Sequence, residues 1–594
     1  MGKRIKTFFT NFFKLFKDKN ILTIIMACFS YSSICLMGII ETYNPFSWLI
    51  FGIICLLFYK TNIQEKKYRK EIIIMSIIYS ILLIFGKIVY TFQFNKTANV
   101  FSIFFSFKTF IKLLGTFNFI FILLMNIYPK IYNFKLNKKN SFTNKKIFWG
   151  SFIFIFICWL PYFLKYYPGV LTPDSLSEID IIFNNFSHIS DHHPIIHTLF
   201  ISLPFNIGYK IFHSANLGVT LYSLIQMIIM DLIFSYFLTF LNERKVNKKI
   251  LILTILFYAI MPVHPIYSIS MWKDVIFSGL ILLLSIETLK LLENKNINFK
   301  SMISFIIISI LCIFFRNNGV YMYLLLIIFS LIIFKDKRKI FIIAFTIVLG
   351  TYAFVKGPVF THFGVEKTES AEYIGMPLQQ IGRMAFKNIE FTEYEKKEIN
   401  KLIPIEILKD AYNPQFSDGI KFNPNYKDEV FDNNKFKYFK IWLNLVIKHP
   451  SIALEAHANS TLGYWYPGVS YSCFSTSLYP NDFGIYRDQK LPSIFDTYFK
   501  YVGTKKIPIL NMVWSIGLCF WIIFLFGYIT LKKKGFKYLY VFIPVIGVWI
   551  TMLIASPVFA EFRYIYCAYI TLPLLLLMPY LDKNNKKDRR KYEK

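Results

Sequence analysis

Apolar stretches of about 20 residues recur along most of this 594-residue chain, separated by short polar connections. A helix crossing hydrocarbon must satisfy every backbone amide within itself, which sets that length. The pattern predicts spans at 21–40, 43–60, 71–91, 111–129, 147–164, 217–241, 250–268, 275–292, 301–316, 319–334, 339–355, 508–531, 538–555 and 561–581. The fold class is therefore an all-α polytopic membrane protein with about fourteen transmembrane helices. Two stretches depart from the alternation. Residues 194–212 are apolar, but a crossing there would invert everything that follows, so they read as a re-entrant or interfacial helix interrupted at Pro204 and Gly208. Residues 356–505 are polar and show helical periodicity at 393–411 and 435–460. GYWYPGVSYS and LYPNDFGIY read there as irregular segments, giving one mixed, mostly helical domain.

Charge orients the chain. The connections QEKKYRK (64–70), KLNKKNSFTNKK (135–146), NERKVNKK (242–249), KDKRK (335–339), KKKGFK (532–537) and the tail after 581 carry clustered cations. Alternating spans put all of them on the cytoplasmic side, as the positive-inside rule requires. Both termini are then cytoplasmic, residues 356–505 are extracytoplasmic, and the location is the cell (plasma) membrane. The basic, aromatic residues 1–20 lack a following cleavage site and read as an uncleaved anchor. The organisation expected is a four-span extension (1–146), a transmembrane core (147–355) with a first external loop at 165–216, the external domain (356–505), and a last set of spans with a basic tail (506–594).

Composition narrows the class. Hydrophobic residues make up 55%, aromatics 19% and charged residues 17%, too little polar surface for soluble domains of this length. The net charge of +32 sits in the short connections rather than in a basic groove with interleaved aromatics, which argues against nucleic acid. Cys473 alone among the cysteines lies in the large loop, and no zinc-type spacing occurs.

Polar groups gather at the ends of spans on the side poor in cations, where they are costly unless used. In YYPGVLTPDSLSEID (166–180) Thr172 is placed to cap a helix beginning at Pro173, with Asp174 in its first turn and Glu178 one turn on. The helix dipole alone would also favour an acid there. SDHHPIIH (190–197) carries His192, His193 and His197; His193 and His197 would share a helical face. The intervening proline and the missing HExxH acid argue against metal, leaving substrate hydrogen bonding, proton transfer or a structural role. PVHPIYSISMWKDV (262–275) sets Trp272, Lys273 and Asp274 at the head of a span. They are either interfacial anchors or a lysine for a lipid phosphate with Asp274 orienting it. FFRNNGVY (314–321) and SPVFAEFRYIY (556–566) place Arg316, Asn317, Glu561 and Arg563 at span ends. Guanidinium is the planar partner for phosphate, whereas Glu561 alternatively just pairs with Arg563.

These residues in this order, YPGVLTPDSLSE, HHPIIHTLF, MWKD, RNNG and EFRY, resemble the GT-C superfamily of membrane glycosyltransferases over roughly residues 147–581. That superfamily includes oligosaccharyltransferases, protein O-mannosyltransferases and aminoarabinose transferases. The resemblance implies sugar transfer from a polyprenyl-phosphate donor to a cell-envelope acceptor at the outer face of the bilayer. Asp174 would match the first-loop acid, as general base or orienting group, with Glu178 beside it. Arg563, Lys273 and Arg316 would bind the donor phosphate. His192, His193, His197, Asp274, Asn317 and Glu561 would be pocket candidates, joined by Gln379 and Arg383 of GMPLQQIGR (375–383). The one cofactor brought in is a divalent metal. Several GT-C enzymes carry two first-loop acids one residue apart; here Ser175 and Leu176 follow Asp174, which weakens a metal-dependent scheme. The competing classes are a transporter or flippase of a lipid-linked glycan, and a glycan polymerase or ligase.

Overall fold

A computed structural model describes residues 19–36, 38, 45–61, 67–136, 142–469, 471–491 and 510–581. The N-terminal basic segment through residue 18, parts of the 64–70 and 135–146 connections and the tail after 581 lie outside the described residues. Among the described residues there are helices and a few isolated bridges, but no strand. Among the described residues eight helices are long and apolar enough to cross a membrane: Arg69–Phe92, Phe107–Asn133, Asn144–Lys165, Ala215–Glu243, Lys273–Glu293, Lys335–His362, Ile516–Lys534 and Phe536–Ile554. Shorter apolar helices cover 20–36, 47–60, 299–315, 319–333 and 562–577. The protein is all-α, and several of its helices present apolar faces that water solvates poorly. On Arg69–Phe92, Ile74, Ile77, Ile78 and Ile81 are exposed while Ile72, Met75 and Tyr79 are buried.

Prolines mark where helices depart from the predicted spans. The stretch predicted as one span at 250–268 divides into Lys248–Ile260 and Val263–Ser268. Met261 adopts an extended backbone before Pro262, whose ring disfavours a helical residue ahead of it. Residues 195–206 form a helix that passes through Pro204 without interruption and ends in a π turn, Ile207–Ile211. Gly208 in that turn meets Gly218, so a side chain on either would collide with the opposing backbone. The expected break at Pro204 is absent; the irregularity follows where the two glycines meet.

The chain forms two compact units. One comprises residues 1–135, 376–469 and 557–559. In it Gly115 packs on Ser33, and Asn118 Nδ2 donates to Ser30 Oγ at 2.8 Å, joining Lys19–Leu36 to Phe107–Asn133. Its polar part has the predicted helical segments, divided at prolines: Glu393–Leu402 and Ile405–Ala411, then Lys435–Lys448 and Pro450–Ser460.

The other unit comprises residues 136–375, 470–556 and 560–594. Lys273–Glu293 runs through its core, largely buried. Gly279 lets Ile233 and Met230 of Ala215–Glu243 come close, which any side chain there would prevent. Trp159 Nε1 donates to the Tyr258 carbonyl at 2.9 Å, and the Tyr258 hydroxyl donates to the Ile570 carbonyl at 2.7 Å. Such satisfied buried donors fix helix register where apolar contact alone would not.

Candidate functional site

The second unit holds a group of charged side chains at helix ends, and backbone pairing positions it. Three extended segments lie side by side. Val170 N–H donates to the Ile269 carbonyl and Met271 N–H to the Val170 carbonyl, each at 3.0 Å. Leu171 N–H donates to the Ser477 carbonyl and Tyr479 N–H to the Leu171 carbonyl, each at 3.2 Å. The segment then turns into the helix Pro173–Phe183, with Pro173 first and Thr172 as the cap predicted for it. Trp272 Nε1 donates to Thr172 Oγ1 at 2.8 Å, and Ser175 Oγ donates to the Met271 carbonyl at 2.7 Å. The acid-bearing helix is thereby tied to the start of Lys273–Glu293.

Asp174 meets Arg563 directly: Nη1 donates to Oδ2 at 2.8 Å across 389 residues of sequence. Their side chains are 34% and 17% exposed, so the pair is open on one side. The guanidinium lies 5.3 Å from the Trp272 ring and 5.1 Å from the Tyr564 ring. Glu561 Oε1 stands 4.0 Å from Arg563 Nε. Lys273 Nζ donates to His193 Nδ1 at 3.0 Å, so that nitrogen accepts and His193 is neutral in this contact. Burial, reinforced by Lys273, pulls His193 down to about 3. Burial alone would raise Asp174, but Arg563, Lys273 and His193 together outweigh it and hold the carboxyl well below the usual range.

One turn along, Glu178 points inward and is 1% exposed. His197 Nδ1 lies 2.9 and 2.8 Å from its two oxygens, and Thr198 Oγ1 donates at 2.9 Å. Burial would raise Glu178; His197 outweighs this and lowers it. The chain continues through His197 Nε2 to the Tyr222 hydroxyl at 3.0 Å and from Tyr222 to Gln226 Oε1 at 2.8 Å. Gln226 Nε2 spends its hydrogens on the Ser268 and Ser270 carbonyls at 3.0 and 2.7 Å. Tyr222 therefore only accepts from His197, and Nε2 carries a hydrogen. Glu178 and His197 brace the acid helix internally rather than facing solvent.

Two further sets complete the region. Asp274 lies 3.0 Å from Arg316 Nη1, both nearly buried, and Arg316 also donates to the Tyr564 carbonyl at 3.0 Å. Asn317 donates to the Asp191 carbonyl at 3.1 Å and accepts from Lys356 at 3.2 Å, while Lys356 pairs with the Asp191 carboxylate. His192 is exposed and packs edge-on to His193. His193 and His197 do not share a helical face: Pro194 is the N-cap, so only His197 is in the helix.

Gln379 and Arg383 belong to the first unit and are engaged there. Arg383 is fully buried, bonded to Glu455 at 2.5 Å and to the Gln93 carbonyl; Gln379 donates to the Asn413 carbonyl at 3.1 Å. Their expected place facing a substrate is corrected by burial. Among the described residues no three His, Cys, Asp or Glu side chains are placed to hold a metal ion. Sequence reasoning missed Arg487, which donates to the carbonyls of Tyr166, Gly169 and Thr476 and so clamps the approach to the acid helix. Its signal was a lone arginine just after a turn-rich stretch, whereas Arg316 and Arg563 stood out by their place at span ends.

A family model described as "Family of unknown function (DUF6020)" matches residues 181–593. No curated protein and no solved structure matches the chain.

Proposed function

We propose that this chain, which belongs to the DUF6020 family of unknown function, is a membrane glycosyltransferase of GT-C type. It moves a sugar from a polyprenyl-phosphate donor to a cell-envelope acceptor. About fourteen crossings with both termini cytoplasmic put the cluster at the outer face of the cell membrane. The observation that carries this reading is the convergence of Asp174, Arg563, Lys273, His193 and Glu561 at helix ends, partly open to solvent. In the reaction the bond between the anomeric carbon and the phosphate oxygen breaks, and an acceptor oxygen bonds to that carbon. Charge collects on the leaving phosphate. Cations already aimed at it stabilise that charge without reorganising, commonly by about 10²–10³ in rate for one donor. Asp174 occupies Arg563 Nη1, so the phosphate either displaces it or binds the remaining edge together with Lys273.

The test is release of labelled sugar from polyprenyl-phosphate hexoses by purified wild-type protein, compared with Arg563→Ala and Lys273→Ala. Turnover that both substitutions cut by about tenfold or more supports the reading. Turnover untouched by either removes these cations from the mechanism. A second reading, transport of a lipid-linked glycan, is favoured by the helix break at Met261–Pro262, since transporters use discontinuous helices. Movement of intact donor between leaflets without sugar release would select it. A glycan polymerase or ligase shares the same donor chemistry and differs in acceptor.

A further inference from the structure

Helix Lys435–Lys448 in the first unit has two apolar faces, and the fold covers one of them. Tyr438, Ile441 and Leu445 are buried, and polar contacts around them hold the helix in place. The Tyr438 hydroxyl donates to the Glu398 carbonyl at 3.2 Å, and Trp442 Nε1 donates to Gln380 Oε1 at 2.7 Å. Lys437 pairs with Glu398 at 2.8 Å and Lys448 with Glu395 at 2.6 Å. On the other side Phe436, Phe439, Leu443 and Ile447 follow one another at helical spacing and are between 39% and 81% exposed. Large apolar side chains lined up on the outside of an anchored helix form a continuous patch, and such patches mark contact with a protein or a membrane.

Two observations select the membrane. Residues 433–454 contain four lysines and no acidic residue, so the stripe lies in a stretch whose charges all suit an anionic lipid surface. At about 100° per residue, Lys435 and Lys440 fall on either side of the stripe, where their stems can lie along it and their ammonium groups reach headgroups. Lys435 also pairs with Asp432 at the exposed surface. The second observation is continuity with a span. Only His449 separates this helix from Pro450–Ser460, which packs against Arg69–Phe92, a helix long and apolar enough to cross a membrane. Just beyond, the Trp465 ring stacks on Phe85 at 5.9 Å. At about 1.5 Å per residue, Phe85 lies about 10 Å inside the Phe92 end of that helix, so the chain after the stripe already reaches the depth of a crossing. We propose that Lys435–Lys448 lies on the membrane surface at the Phe92 end, with Phe436, Phe439, Leu443 and Ile447 at the acyl boundary and its lysines at anionic phospholipid headgroups. The proposal goes beyond the transferase reading and applies equally to a transporter; it requires that Arg69–Phe92 crosses the bilayer.

The experiment places an environment-sensitive fluorophore on single cysteines of the full-length protein, with the native cysteines replaced, in nanodiscs of phosphatidylcholine with or without phosphatidylglycerol. Leu443→Cys and Ile447→Cys probe the stripe, and Asn425→Cys, at an exposed polar position of the same unit, is the control. In discs containing phosphatidylglycerol both stripe labels are expected to shift to shorter wavelength and to be quenched by spin-labelled lipid, while the control label stays in water. Lys440→Gln should lower the docked-to-free ratio about fivefold, and added salt should act in the same direction. The cysteine-replaced parent must melt like wild type. If it does not, quenching of Leu443→Trp against Asn425→Trp by brominated lipid makes the same comparison in the native sequence. Stripe labels as wet as the control in both kinds of disc overturn the proposal. Stripe labels shielded from water yet not quenched by the lipid probe also overturn it, and give the face to a second copy or another protein.

Discussion

The two units each contain an arginine, a lysine and a carboxylate in one cluster, and the clusters are built differently. In the first, Glu455 receives both Arg383, at 2.5 Å, and Lys387, at 2.6 Å, with all three side chains buried. Further cation hydrogens go to the carbonyls of Gln93, Asn95 and Ala98, while the buried Arg383 Nε makes no hydrogen bond. In the second, Asp174 receives only Arg563, the lysine turns to His193, and the arginine–acid pair keeps an open side. A sealed group whose charges satisfy one another holds chain segments together. An open group whose arginine–acid pair keeps a solvent-facing side is accessible from outside. Under the proposed function, identical residue types would serve architecture in one place and chemistry in the other.

The largest expected effect breaks the first cluster. Glu455→Ala leaves two cations buried without a partner and should cost about 3–5 kcal/mol, seen as a large fall in melting temperature in detergent. Arg563→Ala, at the open cluster, should instead lower sugar release by about 10²–10³-fold while melting changes little. If the stability loss fell on Arg563→Ala and Glu455→Ala melted like wild type, the contrast would be reversed.

A pH titration sharpens the same contrast. Glu178, sealed inside the fold, has a folded value below its ordinary one. Its stabilising contribution is fully present above the unfolded carboxylate range of about 3.9–4.3 and is lost as pH falls through the depressed folded value. Melting temperature should therefore drop on acidification below about pH 4, and Glu178→Gln should flatten part of that slope. An equally steep slope in the variant would assign the acid sensitivity elsewhere. The smallest effect belongs to the exposed pair Lys490–Asp488. Asp488→Asn should change stability by less than about 1 kcal/mol, measured by the same melting assay.

Much of the helical layout was legible in the sequence because a span is recorded locally, in the length and apolarity of one stretch. The cap at Thr172 and Pro173 was legible for the same reason, since four consecutive residues specify it. Partner choice was not. Asp174 and Glu178 are one turn apart on one helix, yet one meets Arg563 and the other His197, and only the packing of distant segments decides which faces inward. Arg383 was a candidate because GMPLQQIGR is polar, but Glu455 is folded against it and the group is buried. The break at Met261 was present in the sequence as Pro262, but the apolarity of 250–268 masked it.

The most direct test of the open cluster is equilibrium binding of a polyprenyl phosphate to purified wild-type protein and to Arg563→Ala, with melting temperature recorded on the same samples. The expected result is saturable binding by wild type, weakened about 10- to 100-fold in the variant at nearly unchanged melting temperature. Equal binding by both proteins, or no binding by wild type, would contradict it.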